Sequence, residues 1–324
     1  MRTAVVLALT LVAALHAAPP AGNGRVARTW TSSDGKTMQA ELLEFNDKEV
    51  KVKRSTDFQI VKIPLDRLGE ADRKMIVAMV RERHRDNGMA QGAYATLVTG
   101  QFAQSKSKQG LNFQLLGNPK WDGKQRYPLV IWLHGAGQSG DDNTSQMGGA
   151  TTAFSKPENQ AERPCFILAP QCPSREIGWK NEVAQNLMAL IADLVEELPI
   201  DEARLYLTGS SMGGSGTWST IARWPDVFAC AVPLCGGGDP KMAEPMKGVP
   251  IWVFHGDKDD MVPVDRSRTM NAALKAVGGN IQYSELAGEG HSISGVVYGK
   301  PELHTWMFQQ RKGSASTASA APAK

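Results

Sequence analysis

The chain contains two kinds of hydrophobic pattern. Between about residues 26 and 84, short runs alternate apolar and polar positions and are separated by the turn-forming stretches SSDGK and FNDKE. Such alternation predicts a small all-β unit, which closes with a helix over DRLGEADRKMIVAMVRER. After about residue 95 the apolar runs are continuous, as in YPLVIWLHG, CFILAPQ, RLYLTGSS, FACAVPLCGG and VPIWVFHGD. Continuous runs are typical of strands that are buried on both faces of a sheet.

Helical patterns lie between these continuous runs. The clearest is NEVAQNLMALIADLVEEL, which places on one helical face the apolar residues Val183, Leu187, Leu190, Ile191 and Leu194. Strand and helix patterns then alternate along the rest of the chain. This alternation predicts the α/β fold class, with a mainly parallel sheet flanked by helices.

The two ends of the chain have compositions of their own. Residues 1–18 hold an early arginine, a short apolar run and small residues before a proline pair, which predicts a cleaved signal peptide and a secreted or periplasmic protein. Residues 85–94 are polar and glycine-bearing, as is typical of a linker, and residues 313–324 form a low-complexity tail that is predicted to be disordered. The predicted folded domains are therefore residues 26–84 and 95–312.

Charge and cysteine content exclude several classes of protein. The net charge is +3 over 324 residues, and basic residues are scattered among acidic ones, so no nucleic-acid partner is expected. No segment after the leader is long and apolar enough to predict a membrane span. The four cysteines lie in apolar runs without a histidine at ligand spacing, so buried thiols are expected and neither a metal nor a cofactor is predicted. A disulfide between Cys165 and Cys172 stays open, because an exported chain permits one.

The candidate nucleophile lies in the stretch LYLTGSSMGGSGTW. A strand pattern runs into Gly209, Ser210, Ser211, Met212 and Gly213, and a helix pattern follows. In this context the motif GxSxG presents its serine on a sharp turn that the flanking glycines permit. The motif predicts Ser211 as the nucleophile and places Ser210 within the turn. A phosphate-binding loop is disfavoured because no GK[ST] follows.

A serine hydroxyl needs a base to take its proton, and that base needs an acid to orient it. His291 lies in the glycine-flanked loop LAGEGHSIS after the last predicted strand and is the candidate base. The other histidines fall in the leader, the linker region, a terminal helix and two strand ends, where they are expected to brace loops or to be absent from the site: His16, His84, His304, His134 and His255. The stretch FHGDKDDMVP offers three carboxylates for the acid, from Asp257, Asp259 and Asp260.

These motifs, together with PLVIWLHGAGQSGDDN, ILAPQCP and GEGH, resemble the α/β-hydrolase superfamily over about residues 95–312. The resemblance is to its predicted-peptidase, feruloyl-esterase and dienelactone-hydrolase-like branch, and it implies an eight-stranded, mostly parallel sheet without a metal. The superfamily pattern HGxxDxxVP, laid on residues 255–263, places the acid at Asp259, with Asp257 as the alternative. The fold also implies an oxyanion hole made by the backbone N–H groups of Ala136 and Met212.

Two further residues are predicted to line the acyl or alcohol pocket. They are Gln138, which follows the predicted oxyanion loop, and Trp179 in the stretch IGWKNE. A position in the core or in a loop is the alternative for both.

The N-terminal unit carries a resemblance of its own. The stretches RTWTSSDGKTMQAELLEF and KIPLDRLGEAD resemble the Sla homology domain, a small SH3-like barrel that precedes hydrolase domains in some exported bacterial proteins. This resemblance implies a barrel-like domain over residues 26–84 and a protein or envelope partner. An accessory domain that only stabilises the chain is the alternative.

Motifs and resemblance together predict an exported serine hydrolase that cleaves carboxylic esters by acyl transfer. Feruloyl or acetyl esters on polysaccharide are the expected substrates. Esters are favoured over peptides because the leaving alkoxide of an ester needs less acid assistance than the leaving amine of a peptide. Two alternatives stay open: a secreted serine peptidase with the same triad, and an envelope-binding protein that uses the hydrolase fold as a scaffold.

Overall fold

The computed structural model describes residues 27–46, 48–86, 90, 92–118 and 125–312. The predicted signal peptide and C-terminal tail lie outside the described residues, as does part of the predicted linker. The chain divides between Val80 and Arg81 into two compact units. Among the residues that the structure describes, no helix is both long enough and apolar enough to cross a bilayer.

The smaller unit is a four-stranded antiparallel sheet with a helix packed against it. Its strands pair in chain order and are β1 (Ala27–Thr31), β2 (Thr37–Phe45), β3 (Glu49–Arg54) and β4 (Ile60–Pro64). A short 3₁₀ helix (Leu65–Arg67) and the helix α1 (Glu70–Asp86) follow. The predicted N-terminal β-sheet domain is confirmed, whereas its SH3-like character stays a prediction.

One side of this small sheet forms the core of the unit. The buried apolar residues come from the strands, the end of the 3₁₀ helix and α1: Trp30, Ala40, Val50, Val52, Leu68, Ile76 and Val80. The first turn of α1 is tied to β1 by the carboxylate of Asp72, which accepts a hydrogen bond from the Thr31 N–H at 2.6 Å. The same carboxylate pairs with Arg28 at 2.5 Å. The acid that favours the start of the helix therefore also fixes the helix to the sheet.

The larger unit is built on an eight-stranded sheet in the order β12–β11–β10–β9–β7–β8–β6–β5. Its strands are β5 (Ala103–Lys106), β6 (Asn112–Leu116), β7 (Tyr127–Leu133), β8 (Phe166–Pro170), β9 (Ile200–Ser210), β10 (Cys230–Leu234), β11 (Ile251–Gly256) and β12 (Ile281–Leu286). The pairings from β12 to β8 are parallel, and β6 runs antiparallel to both β8 and β5. The predicted, mostly parallel sheet is confirmed.

Helices cover this sheet. They are α2 (Ala150–Phe154), α3 (Pro157–Glu162), α4 (Asn181–Glu197), α5 (Met212–Arg223), α6 (Ala243–Met246), α7 (Asp265–Ala276), α8 (Ser294–Tyr298) and α9 (Pro301–Gln309). Short 3₁₀ helices span Ala93–Leu97, Ala136–Gln138 and Pro240–Met242. Helix α4 occupies the segment predicted to be the clearest helix, and all of the apolar residues expected on its inner face are buried.

Both faces of the large sheet are buried, as the continuous apolar runs predict. In β7, Leu129 and Ile131 face a core that includes α4, α5 and α7, whereas Val130 and Trp132 face a core that includes α2, α8 and α9. This alternation requires every position of the strand to be apolar, because each side chain meets one core or the other. All four cysteines are buried and free, so Cys165 and Cys172 are not joined.

Four parallel strands end side by side at one edge of the large sheet. Ser210 is in register with Leu234 of β10, Leu234 with Phe254 of β11, and His255 with Glu285 of β12. The residues that follow β9, β10, β11 and β12 therefore meet at this edge. In open α/β sheets this is the edge at which ligands bind.

Candidate active site

Ser211 occupies a strained turn between β9 and α5. Its backbone angles are φ 59° and ψ −118°, a region that residues other than glycine rarely adopt. The flanking glycines are required by close packing: a Cβ on Gly213 would lie 1.8 Å from the Leu133 carbonyl oxygen, and one on Gly209 would lie 2.4 Å from the Gly213 carbonyl oxygen. The Ser211 N–H donates to the Leu234 carbonyl at 2.9 Å. Packing from the neighbouring strands thus holds the serine in a conformation that it would not adopt alone.

His291 and Asp259 form a close pair at the same edge of the sheet. The imidazole Nδ1 lies 2.7 Å from Asp259 Oδ2, and the Asp259 side chain is fully buried whereas that of His291 is 15% exposed. The other carboxylate oxygen accepts from the backbone N–H groups of Met261 at 2.9 Å and Val262 at 2.8 Å. Burial alone raises the pKa of Asp259, but these N–H groups and His291 outweigh it and hold that pKa below its usual value. An ionised Asp259 accepts a hydrogen bond from the Nδ1–H of His291. The proton stays on Nδ1, so the Nε2 lone pair can take a proton from a serine.

The other carboxylates of this loop have different surroundings. Asp257 Oδ1 accepts from the Gly288 N–H at 2.7 Å and so braces the loop that carries His291. Asp260 is exposed. Of the three candidate acids, Asp259 is therefore the one that contacts the imidazole of His291.

The two predicted oxyanion donors are the first residues of two helices. Ala136 begins the 3₁₀ helix that follows β7, and Met212 begins α5 directly after Ser211. The first N–H groups of a helix have no acceptor within that helix, and they carry the positive end of its dipole. A Cβ on Gly135 would lie 3.6 Å from the Ser211 Cβ, so the Ala136 loop lies against the serine turn. The assignment of the Ala136 and Met212 N–H groups to an oxyanion hole stays a prediction.

Known proteins share this architecture. A family model described as phospholipase/carboxylesterase matches residues 165–300. The chain is 29% identical over 178 residues to a protein of Aspergillus terreus named probable feruloyl esterase C, covering 54% of this chain and 64% of that protein. It is 23% identical over 218 residues to an uncharacterized secreted protein of Arthroderma benhamiae, covering 54% of this chain and 22% of that protein.

A solved structure, that of a thermostable esterase, is 35% identical with a TM-score of 0.61 and covers 65% of this chain. The larger unit has the α/β-hydrolase fold. This chain spans 63% of the thermostable esterase, 64% of the Aspergillus terreus protein and 22% of the Arthroderma benhamiae protein, which is less than two thirds of each.

Gln138 of the larger unit is hydrogen-bonded to the backbone of the loop that follows β7. Its Oε1 accepts from the Gly135 N–H at 3.2 Å. Its Nε2 donates to the carbonyls of Ser145 at 3.0 Å and Met147 at 3.2 Å. These bonds fix the position of the loop, and contact of Gln138 with substrate stays a prediction.

His134 and Trp179 contact the same loop of the larger unit. Burial lowers the pKa of His134, and the neutral ring lies with Nδ1 2.7 Å from the Gly135 carbonyl while Nε2 accepts from the Cys172 N–H at 2.9 Å. Trp179 is 1% exposed and donates its indole N–H to the His134 carbonyl at 3.1 Å. It also borders a cavity of about 210 Å³ beside Met212, so its predicted contact with substrate stays a prediction.

Two side chains that the sequence did not single out as part of the site, those of His255 and Cys235, lie next to Asp259. His255 is fully buried, with Nδ1 2.7 Å from Ser267 Oγ and Nε2 2.9 Å from the Val262 carbonyl and 3.2 Å from Asp259 Oδ2. Burial raises the pKa of the Cys235 thiol to about 12, and the neighbouring Asp259 carboxylate also raises it. A protonated thiol and the His255 N–H are both donors to a carboxylate. The sequence indicates Cys235 only by its position. It directly follows β10, the strand that lies between β9, which precedes Ser211, and β11, which precedes Asp259.

The same three side chains have the spacing of metal ligands. Ligand atoms of Cys235, His255 and Asp259 lie within 4.8 Å of one another, the one such group among the residues that the structure describes. However, His255 Nε2 faces the Val262 carbonyl and so carries its hydrogen there, Asp259 binds His291, and the thiol is protonated. Metal ligation needs a free nitrogen lone pair and a thiolate. The group therefore fits a hydrogen-bonded support for Asp259 better than a metal site.

Proposed function

We propose that this protein is an exported serine hydrolase that cleaves carboxylic esters by acyl transfer. The observation that carries the proposal is the 2.7 Å contact between His291 and the buried Asp259 at the sheet edge where the strained Ser211 turn lies. Similarity to carboxylesterases supports the ester-cleaving activity. The secreted relative and the predicted leader of residues 1–18 support export.

In the first half of the reaction, His291 Nε2 takes the proton of Ser211 Oγ as the oxygen attacks the ester carbonyl carbon. The negative oxygen that develops is bound by the N–H groups of Ala136 and Met212. Asp259 stabilises the imidazolium and keeps its Nδ1 proton in place. The bond to the alcohol then breaks, and His291 gives its proton to the departing alkoxide, which leaves an acyl group on Ser211.

In the second half, a water molecule takes the place of the alcohol. His291 removes a proton from the water, and the resulting hydroxide attacks the acyl carbon. The same two N–H groups hold the second tetrahedral intermediate. Its collapse releases the carboxylic acid, and the proton returns from His291 to Ser211.

The substrates that we propose are feruloyl or acetyl esters on polysaccharide. The name of the Aspergillus terreus relative supports the feruloyl class. Ester cleavage makes a smaller demand on His291 than peptide cleavage, because an alkoxide leaves with less protonation than an amine.

Matched esters and amides test this proposal. We expect methyl ferulate and 4-nitrophenyl acetate to be hydrolysed, acetylated xylan to release acetate, and 4-nitroacetanilide and short peptides to stay intact under the same conditions. The measurement is kcat/KM for each compound by chromatography or absorbance. Cleavage of peptides without cleavage of esters would contradict the proposal in favour of a peptidase.

A further inference from the structure

A groove of about 780 Å³ opens beside the catalytic turn of the hydrolase domain. It lies between helix α5, the loop after β10, the loop after β11 and the start of α7. Ser215 of α5 lines it, and the Ser215 N–H donates to the Ser211 carbonyl at 2.9 Å. The two serines are four positions apart, which corresponds to about 6 Å along the helix axis. A group attached to an ester at Ser211 can therefore enter the groove.

Apolar side chains line much of the groove. Met242 is 38% exposed and Met261 is 71% exposed, although large apolar residues are usually covered. Trp218, Ala222 and Met246 line it as well. Exposed apolar side chains grouped around one concavity indicate a surface that binds an apolar body.

The charged groups that line the groove are mainly cationic. They are Lys180, Arg223 and Arg266, against one carboxylate, that of Asp239. Arg223 stacks on the Trp224 ring at 4.6 Å, and in the described part of the chain none of the three cations has a carboxylate within ion-pair distance.

A cation nearby on the same helix shows the contrast. Arg268, two residues after Arg266 on α7, pairs with Glu285 at 2.6 Å and with Asp265 at 2.8 Å. Positive charge that is left without a protein partner around an apolar groove is complementary to an anion.

The groove also contains a buried donor without an acceptor. Trp218 is 1% exposed, and its indole N–H has no hydrogen-bond partner among the described residues. A buried N–H without a partner is costly, and few such groups persist in folded proteins. Trp218 therefore lines the groove while its indole N–H stays unpaired in the described structure.

We propose that this groove binds a carboxylate-bearing part of the ester substrate. The apolar body of that group lies on Met242 and Met261, and its carboxylate faces the cations. Arginine forks match the two oxygens of a carboxylate in geometry. The proposal rests on the proposed ester hydrolysis and adds a preference for anionic esters to it.

Two pairs of esters test the preference and distinguish the acyl side from the alcohol side. For the alcohol side, 4-acetoxybenzoate is compared with 4-acetoxybenzamide, which has the same shape without the charge. For the acyl side, the mono-4-nitrophenyl ester of pimelic acid is compared with the matching terminal amide. The measurement is the ratio of kcat/KM for the anionic ester to that for the neutral ester. We expect a ratio above one for one pair, falling at high salt because salt screens exposed charges.

The variant that tests the cations is the triple substitution Lys180→Gln, Arg223→Gln and Arg266→Gln. All three residues are exposed, so the fold is expected to tolerate their change. Each exposed ion pair is worth up to about fivefold in affinity, so the triple variant should lower the ratio by about tenfold. The matched control is Lys275→Gln, which removes an exposed cation of α7 outside the groove and should leave the ratio unchanged.

The outcomes separate this proposal from the proposed function. Hydrolysis of neutral esters without a carboxylate preference in either pair, or a preference that the triple variant retains, would overturn the groove assignment and leave the esterase standing. If none of the esters is hydrolysed, the proposed function fails. Calorimetric titration with 4-acetamidobenzoate then tests whether the groove binds a carboxylate. Binding that is lost in the triple variant supports the groove, and absence of binding to the unaltered protein overturns it.

Discussion

Ser211→Ala is expected to lower kcat/KM for 4-nitrophenyl acetate by about 10⁴-fold or more, because the variant lacks the hydroxyl that attacks the ester. Ser211 is the residue that the strained turn presents, at φ 59° between β9 and α5. The loss should appear in kcat, with the far-ultraviolet circular dichroism and the Tm unchanged or slightly improved, since removing the side chain does not alter the backbone contacts.

The neighbouring serine provides the matched control for this variant. Ser210 is the last residue of β9 and is in register with Leu234. Ser210→Ala removes the same atom one residue away and should retain measurable turnover. If Ser210→Ala were the inactive variant and Ser211→Ala the active one, the turn would have been assigned out of register.

The second large effect is expected for Asp259→Asn, which should lower kcat by about 10⁴-fold. The amide oxygen can still accept from the N–H groups of Met261 and Val262, so the loop should keep its shape. The amide cannot hold the Nδ1 proton of His291 as a carboxylate does, because its second polar atom is a donor. The imidazole then loses the tautomer that leaves Nε2 free to accept a proton.

Asp257→Asn is the control for that substitution. Its oxygen can still accept from the Gly288 N–H, so most of the activity should remain. Comparable losses in both variants would show that the loop as a whole, and not the pairing of Asp259 with His291, determines the rate. Steady-state kinetics on both purified variants, with Tm measured beside them, make the comparison.

Asp259 also links stability to pH. Its pKa is lower in the folded protein than the value of about 3.9 that is usual for an unfolded chain. Its contribution to the free energy of unfolding is therefore fully present above that unfolded value, and it is lost as the pH falls through the lower folded value. Across neutral and mildly acidic pH the Asp259 carboxylate therefore stays ionised.

Local patterns in the sequence predicted five strands of the large sheet, β7 to β11, and the helix α4. Continuous apolar runs predicted β7, because burial on both faces leaves no position in that strand for a polar side chain. The four-residue strand β5 gives no such signal, since AQSK is mostly polar and forms its ladder only because β6 lies beside it.

The prediction of the site rests on motif chemistry and on strand order. GxSxG after a strand and a histidine after the last strand indicated Ser211 and His291, and the structure places His291 against Asp259. Packing around these residues was not predictable. Trp179 donates its indole N–H to the His134 carbonyl, a contact that depends on which backbone lies beside the ring.

The groove could not have been found from the sequence at all. Met242, Met261 and Arg266 come from different parts of the chain, and no motif relates them to one another. The missing partner of the Trp218 N–H is likewise a property of tertiary packing. Features of this kind arise from long-range contacts, which the pattern along one segment does not record.

Reaction with a fluorophosphonate probe tests the central claim most directly. The probe forms a stable adduct with a serine that is activated by a base beside an oxyanion hole, so labelling reports the assembled site and not the presence of a motif. We expect the purified protein to be labelled at neutral pH, peptide mass spectrometry to find the adduct on Ser211, and labelling to fall in His291→Ala. A folded protein that does not react with the probe at neutral pH, or that carries the adduct on another serine, would contradict the account.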